Sequence, residues 1–288
     1  MSLTSELSNK TSNIRLFFNN NFTFSPFINS INSEISGFHT LMPKDKNNYP
    51  WSDVGHMTEY LMLLHIGLDV SELFPMKFAK NEFRNFYAKT KLKYNDSAPY
   101  FKNRIKFKEL CNNLYRMSTI EKMYRSKDIV SSLQLNNIFI TDSVFQDMIN
   151  IYFQSLSINP IINNKDNFFC YNPLFDLSAA IGGADADLYL IKPKGNTLLD
   201  LKTTIRPQLT EDMLFQLLGY VFLDVSREHK LTSIGVYLTR QNLISDWDIS
   251  TLISKYSKFE TVKEAQNEFV KVLLNCNIRK PAIRPNIF

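Results

Sequence analysis

The sequence predicts an α/β fold, in which helices flank a mixed central sheet and a mainly helical part precedes it. Apolar residues recur at helical spacing through much of the first half. Short apolar or alternating segments follow, and one apolar helix separates the last strand from the others, giving the order β-β-β-α-β. Strands with few intervening helices favour a mixed sheet. Since 288 residues can bury a sizeable core, we expect a single domain over residues 1–288, with a helical part at 1–160 and the β-β-β-α-β core at 161–288.

The first half is predicted as helices separated by polar connections. Residues 1–45 are rich in Asn and Ser with scattered Phe, and their pattern supports no firm assignment. Gly67 is expected close to the end of the first clear helix, because glycine commonly follows a last helical turn. The apolar stripes predict helices at about 52–67, 75–89, 101–125 and 139–156.

The second half is predicted as strands with two helices. A hairpin is indicated by two apolar segments joined by "KPKGN", which carries the Pro and Gly of a tight connection. Acids in the first turn of the next segment favour a helix there. The predicted pieces are short extended segments at 168–175 and 177–183, strands at 186–191 and 197–203, a helix at 210–225, a strand at 233–240 and a helix at 262–275.

Cysteine usage and hydropathy predict an intracellular protein. The three cysteines are far apart and none belongs to a Cys-x-x-Cys pair, so neither a disulfide framework nor a zinc cluster is expected. The first residues lack the basic start and apolar core of a signal peptide. The longest apolar runs are too short to span a bilayer. We therefore expect a cytoplasmic location and no membrane partner.

A basic segment is the main feature of the charge pattern. The net charge is +5, and residues 89–108 hold seven lysines or arginines with one acid. Aromatic residues are interleaved with them, so the segment suits a phosphate backbone, although a solvated helical face explains the charges equally well. The candidate nucleic-acid-binding residues are Lys89, Lys91, Lys93, Lys102, Arg104, Lys106 and Lys108.

Acidic residues converge at one end of the predicted hairpin. Asp200 and Lys202 are two apart on one strand, so they share a face. Asp187 is expected roughly opposite Asp200 or a neighbouring residue, and cross-strand partners lie only about 5 Å apart. Two carboxylates at that distance repel each other, and a divalent cation removes the conflict. Mg²⁺ is typically held by one or two carboxylates, with waters and phosphates as the other ligands.

The next predicted helix places Gln216 and Tyr220 four residues apart, on one face. A partly exposed glutamine and a core tyrosine are common on any amphipathic helix. The pair gains weight only through its order after the acidic strands.

Taken in order, "GGADADLYL", "TLLDLKTT" and "FQLLGYVFL" resemble the PD-(D/E)XK nuclease superfamily, specifically its RecB-like branch with a Gln-x-x-x-Tyr helix. The resemblance covers residues 182–223 well. "VGHMTEYLMLL" is similar to the first motif of that branch, a glycine followed by a helical glutamate, here Glu59. The layout from Val54 to Arg240 more loosely resembles a group of uncharacterised bacterial stand-alone nucleases. No proline precedes the first aspartate, which departs from the pattern.

The resemblance implies a restriction-endonuclease-like core and a Mg²⁺-dependent nuclease, with Mn²⁺ as a substitute metal. Asp187 and Asp200 would bind the metal, and Glu59 would join them directly or through water. Lys202 would orient the attacking water and stabilise charge on the phosphoryl group. Gln216 and Tyr220 would brace Lys202 or contact the substrate backbone.

Two positions stay open within that assignment. Asp185 shares a face with Asp187 and competes with it as the metal ligand. Asp187 is preferred because "DLYLI" continues directly into the strand. His56 lies three residues before Glu59 on the same helical face and is a further candidate metal ligand.

The biological role rests on the resemblance alone, which implies restriction, phage defence or repair, with protein partners from such a system. We expect DNA as the substrate, although nothing in the sequence separates DNA from RNA. The alternative function is a catalytically silent subunit that binds nucleic acid or supports assembly while keeping the nuclease-like fold.

Overall fold

A five-stranded mixed sheet with helices on both faces forms the centre of the molecule. The structure, a computed structural model, describes residues 2–68, 88, 90, 91, 94, 103–126, 135–184 and 186–275. The predicted α/β class with a mixed sheet flanked by helices is therefore confirmed.

The strands follow one another across the sheet in the order β1-β2-β3-β4-β5. Neighbouring strands are antiparallel except β3 and β4, which run parallel and are connected through a helix. Such a crossover is what a parallel pair requires. The strands are β1 (Phe168–Tyr171), β2 (Leu188–Ile191), β3 (Asn196–Lys202), β4 (Leu231–Leu238) and β5 (Leu243–Asp248).

Nine α-helices lie within the described part of the chain. They are α1 (Leu3–Ser8), α2 (Asn13–Asn21), α3 (Ser25–Ile35), α4 (Trp51–His65), α5 (Arg104–Ser126), α6 (Asp142–Ile151), α7 (Glu211–Leu223), α8 (Ile249–Tyr256) and α9 (Val262–Asn275).

Two apolar cores form because successive side chains of a strand point to opposite faces of the sheet. Leu198 belongs to the core that contains α1, α2, α3, α7, α8 and α9, whereas its neighbour Leu199 belongs to the core of α4, α5 and α6. In β4, Val236 and Tyr237 divide between the two cores in the same way. The central strands therefore contribute to both.

Most of the predicted elements are confirmed, with shifted ends. The helix predicted at 101–125 is α5, and the one at 139–156 is α6 followed by a π-helical turn, Tyr152–Leu156. Gly67 follows α4 with φ +77°, as expected for a glycine after a last helical turn. The helix predicted at 75–89 falls almost entirely outside the described residues. The elements without a prediction are α1, α2, α3, β5 and α8.

The segment predicted as extended at 177–183 is instead a 3₁₀ turn, Ser178–Ile181, so that prediction was wrong. The hydroxyl of Ser178 accepts a hydrogen bond from the Phe175 amide at 2.9 Å and donates one to the Ala184 carbonyl at 2.5 Å. These local bonds close the segment on itself. Serine side chains favour such turns because they satisfy backbone groups that a strand ladder would otherwise pair.

None of the helices within the described residues is long and apolar enough to cross a membrane.

Candidate active site

Asp187 and Asp200 lie at the open end of the β2–β3 hairpin, opposite its turn. The register pairs Tyr189 with Leu198 and Leu188 with Leu199. One further step of this register brings Asp187 beside Asp200. Oδ2 of Asp187 accepts a hydrogen bond from the Leu201 amide at 2.6 Å, which fixes the carboxylate against β3.

Asp200 and Lys202 form a largely buried ion pair. Oδ2 of Asp200 lies 2.6 Å from Nζ of Lys202. Asp200 is only 2% exposed, so its buried carboxylate depends on this lysine for charge compensation. The Lys202 side chain is 27% exposed, so part of it reaches solvent.

The surroundings of Lys202 stabilise its charged form. Burial acts to lower the pKa of Lys202, but the nearby carboxylates of Asp200, Asp187 and Glu59 outweigh burial and raise that pKa. These three acids lie on two strand ends and one helix, so the fold brings together groups that are far apart in the sequence. At neutral pH the site therefore holds one ammonium group among several carboxylates.

Helices α4 and α5 supply a second group of polar side chains. Nδ1 of His56 lies 3.1 Å from Oε2 of Glu121 and 3.9 Å from Oε2 of Glu59. The hydroxyl of Tyr60 donates a hydrogen bond to the same Glu121 oxygen. Burial, together with Glu121 and Glu59, holds the pKa of Tyr60 well above its ordinary value, so this hydroxyl remains a donor.

Glu121 and Tyr60 were not among the predicted site residues. Glu121 follows Leu114 and Met117 at helical spacing, so an acid occupies the apolar stripe of α5. An acid in such a stripe is a signal that could have identified Glu121, because buried acids are rarely left without partners.

Helix α7 presents Gln216 and Tyr220 to the same region. Thr210 caps the helix by accepting a hydrogen bond from the Met213 amide. Nε2 of Gln216 donates a hydrogen bond to the Tyr220 hydroxyl at 2.9 Å, and the Tyr220 ring stacks on Phe175 with centroids 5.6 Å apart. The two polar ends are thus joined across one turn of α7.

A cleft of about 370 Å³ unites most of these groups. Its walls come from α1, α4, α5, the loop after β1, the segment before β2, and α7. The lining residues with polar side chains are Ser2, Thr4, Ser5, Ser8, His56, Glu59, Tyr60, Glu121, Tyr171, Asn172, Asp187, Gln216 and Tyr220.

The part of the basic segment that belongs to α5 lies away from this cleft. Arg104 donates to Gln146 at 3.1 Å, and Lys108 pairs with Asp142 at 2.6 Å. Arg104 is seventeen residues from Glu121 on the same helix, roughly 25 Å along its axis. Lys91 is exposed and Lys106 half-buried. The positions Lys89, Lys93, Lys102 and Asp185 fall outside the described residues.

The acidic residues suit a hard cation in kind, although they do not form a complete cage. Within the described ranges, no group of three His, Cys, Asp or Glu side chains is arranged to hold a metal ion. The adjacent carboxylates of Asp187 and Asp200 do match the one or two carboxylates by which Mg²⁺ is typically held. The donor chemistry therefore fits Mg²⁺ completed by water and substrate oxygens.

Comparison of this chain with protein-family models, curated proteins and solved structures gave no match.

Proposed function

We propose that this protein is a metal-dependent nuclease with a restriction-endonuclease-like core, and that its substrate is DNA. The observation that carries the proposal is the position of Lys202, whose ammonium group lies among Asp200, Asp187 and Glu59 at one sheet edge. Asp187 lines a cleft that also contains the bonded pair Gln216–Tyr220.

Asp187 and Asp200 would hold Mg²⁺, with Glu59 joining directly or through water. When bound, the metal supplies Lewis acidity and lowers the pKa of a coordinated water. Lys202 provides a fixed positive charge beside the phosphate, and its raised pKa keeps it protonated at neutral pH. Phosphodiester hydrolysis requires charge neutralisation of this kind.

The remaining polar groups orient the substrate. Gln216 and Tyr220 both line the cleft, and their amide and hydroxyl groups are suited to the phosphate and sugar oxygens of a nucleic-acid backbone. Glu121 holds His56 through Nδ1, which leaves Nε2 of the ring as its second functional atom. His56 thus remains a candidate contact for metal or substrate in this proposal.

The direct test is cleavage of linear and circular, single- and double-stranded DNA, and of RNA, by purified protein with and without Mn²⁺. We expect metal-dependent cleavage of DNA by the parent and a loss of at least a hundredfold in Asp200→Asn and Lys202→Met. Lys192→Met is the matched control, because Lys192 forms an exposed ion pair with Asp246 at 2.9 Å on the same sheet. Parent-like cleavage by Lys202→Met would refute the proposal.

A catalytically silent nucleic-acid-binding or assembly subunit is the second candidate. It is favoured by the ion pair that already occupies Asp200 and by the lack of a three-ligand group in the described ranges. Calorimetry with Mn²⁺ separates the two functions. Heat of binding that disappears in Asp187→Asn and Asp200→Asn supports the nuclease, whereas no binding in the parent supports the silent subunit.

A further inference from the structure

A second cavity lies at the opposite end of β3 from Asp200 and Lys202. Its walls come from the β2–β3 turn, the loop at 224–230 and the first residues of α8 and α9, and its volume is about 610 Å³. We call it the turn-end pocket. Asn196 begins β3 and Lys202 ends it, so the strand places roughly 20 Å between this pocket and the ion pair. Within the described part of the chain, the turn-end pocket and the cleft share no lining residue.

Three cations line the turn-end pocket at its solvent side. Lys194 belongs to the β2–β3 turn, and Arg227 and Lys230 belong to the loop between α7 and β4. All three residues are exposed. None of them forms an ion pair with another residue that the structure describes. Their charges can therefore meet an anionic ligand.

Two acids also line the turn-end pocket, and both have a place in the fold. The Asp248 carboxylate caps α8 by accepting a hydrogen bond from the Thr251 amide at 2.7 Å. Asp224 is only 4% exposed, and burial raises the pKa of its carboxyl group. The three exposed cations therefore outnumber the carboxylates that a ligand would meet at the rim.

Hydrogen bonds hold the two basic segments side by side. The Asn196 amide donates to the Lys230 carbonyl at 2.9 Å, and Nδ2 of Asn196 donates to the His229 carbonyl at 2.7 Å. Arg227 and Lys230 have φ values of +58° and +48°, a left-handed conformation that residues other than glycine adopt at an energetic cost. Strained backbone of this kind clusters at ligand sites. The loop thus keeps two long basic side chains where glycine would suit the backbone better.

Apolar side chains form the inner wall of the turn-end pocket. Val221 and Ile249 are buried, and Leu231 and Val262 are half-buried beside them. The volume lies within the range of small-molecule pockets, roughly 300–1,000 Å³, which typically combine apolar walls with a few polar groups. This combination suits a ligand that has an apolar body and a charged end.

We propose that the turn-end pocket binds a small soluble organic phosphate, with the phosphate at Lys194, Arg227 and Lys230 and the apolar body against the inner wall. A phosphate monoester offers two negative charges and three acceptor oxygens. A guanidinium group binds phosphate through two parallel hydrogen bonds, and lysines bind it as point charges. Inorganic phosphate would leave the apolar wall uncovered, and a neutral apolar molecule would leave the cations without a partner. The proposal uses no residue of the candidate active site, so it stands or falls independently of the proposed function.

Isothermal titration calorimetry of the full chain in EDTA tests the ligand chemistry with naphthyl phosphate, inorganic phosphate and naphthol. We expect naphthyl phosphate to bind at least roughly tenfold more tightly than either of the others, because only it has both the charge and the apolar body. Equal affinity for inorganic phosphate would refute the role of the apolar wall. Equal affinity for naphthol would refute the role of the cations, and no binding of naphthyl phosphate would refute the site.

Two charge variants locate the binding. Arg227→Gly and Lys194→Gln should each weaken naphthyl phosphate binding roughly tenfold, since each removes a charge-assisted contact. Glycine adopts the backbone conformation of Arg227 without strain, so the urea midpoint of Arg227→Gly should not fall. Lys255→Gln is the matched control for Lys194→Gln, because Lys255 is exposed on α8 and does not line the pocket. If both Arg227→Gly and Lys194→Gln bound as tightly as the parent, the phosphate would lie elsewhere and the proposal would be overturned.

The apolar wall and the source of the phosphate have tests of their own. Val262→Thr keeps the shape of a half-buried wall residue and adds a hydroxyl, so it should weaken naphthyl phosphate several-fold and leave inorganic phosphate unchanged. An equal effect on both ligands would contradict the apolar contact. A lipid headgroup carries the same phosphate chemistry, and sedimentation with phosphatidylcholine vesicles containing phosphatidic acid distinguishes that source. We expect the protein to stay in the supernatant, and sedimentation that Arg227→Gly abolishes would overturn the soluble ligand.

Discussion

The ion pair of Asp200 and Lys202 at the end of β3 should stabilise the fold only while both charges are present. The Asp200 carboxylate is almost fully buried, and its Oδ2 lies 2.6 Å from the lysine. Breaking such a pair leaves an uncompensated charge and typically costs about 3–5 kcal/mol, whereas removing both charges costs much less. We therefore expect Lys202→Met to destabilise the fold by about 3 kcal/mol and Asp200→Asn/Lys202→Met by less.

Urea unfolding at pH 7 without metal measures these free energies. The exposed pair of Lys192 and Asp246 is the control, because both side chains are 39% exposed and Lys192→Met should cost about 0–1 kcal/mol. If the double variant were as unstable as Lys202→Met, the cost would come from lost lysine packing and the charge argument would fail.

Tyr237 gives the fold a specific sensitivity to high pH. The side chain is buried in β4, and its hydroxyl lies 2.8 Å from that of Ser155. Burial raises the pKa of Tyr237 to about 12, with Ser155 opposing the shift. Because the folded pKa exceeds the unfolded value of about 10, the contribution of this group to stability is complete below pH 10 and declines as pH rises toward 12.

We expect the free energy of unfolding of the parent to fall between pH 10 and 12 by up to about 3 kcal/mol more than that of Tyr237→Phe. Chemical denaturation at several pH values checks the slope. Parallel pH profiles for the two proteins would show that Tyr237 does not titrate differently in the folded state.

At the scale of elements, Arg240 links the ends of β3 and β4 to helix α6. It follows β4 and donates to both oxygens of Asp147 in α6, at 2.8 and 2.7 Å. Its Nε also donates to the carbonyl of Thr203 at 3.2 Å, next to Lys202. This arginine therefore fixes the chain immediately after the candidate active-site lysine.

Replacement of Arg240 should accordingly loosen several elements at once. Arg240→Lys keeps the charge but loses the bidentate geometry, and we expect it to cost at least about 2 kcal/mol. Arg240→Met leaves Asp147 buried without its cation and should cost about 3–5 kcal/mol. Urea denaturation followed by circular dichroism gives both values. If Arg240→Met lowered the free energy of unfolding by less than about 1 kcal/mol, the structural role of the Arg240–Asp147 pair would be refuted.

The sequence predicts elements best where a local period is strong. The hairpin and α7 have clear alternation or helical spacing, so the approach of Asp187 to Asp200 could be anticipated; the strand register ends one residue before that pair, at Leu188 and Leu199. The strand β5 carries two aspartates and is mostly half-exposed, so its composition does not indicate a strand. Its extended conformation depends on backbone pairing with β4. Helices α1 to α3 are rich in Asn and Ser, so their helical conformation depends on tertiary packing more than on a local pattern.

The cleft residues that the sequence did not predict are also placed by tertiary packing. Glu121 reaches the cleft because α5 packs on α4, and Ser5 reaches it because Leu3 fits over Gly219. These contacts join segments distant in the chain, and no short motif encodes them. The resemblance to nucleases indicated the acids and lysine but not the helical wall beside them.

At the scale of the whole molecule, the sheet separates two cores that share their central strands. One core takes Leu198 and Val236, and the other takes Leu199 and Tyr237, from the same two strands. Neither core can lose its packing without exposing one face of β3 and β4. Since β3 also carries Asp200 and Lys202, the site depends on both layers of helices.

Shared strands should make unfolding cooperative, and the two tryptophans allow a direct test. Trp51 lies on α4, and its ring centroid is 4.5 Å from that of Tyr49, which belongs to the core of α4, α5 and α6. Trp247 on β5 packs against Phe27 at 5.4 Å, beside the core that contains α1, α2, α3, α7, α8 and α9. Trp51→Phe and Trp247→Phe each leave a single reporter, one for each side of the sheet. We expect coincident urea transitions by fluorescence of either variant and by circular dichroism, after allowing for any change in stability of each variant.

Within each single-tryptophan variant, fluorescence and circular dichroism should give the same midpoint, because the reporter on one side of the sheet senses loss of the strands that both cores use. Separate midpoints would show that one helical layer can leave the sheet while the other stays packed. In that case the predicted single domain would be wrong, and α4 and α5 could move relative to the strand ends that carry Asp200 and Lys202. A coincident transition instead requires that the acids, the lysine and the cleft walls form and disappear together.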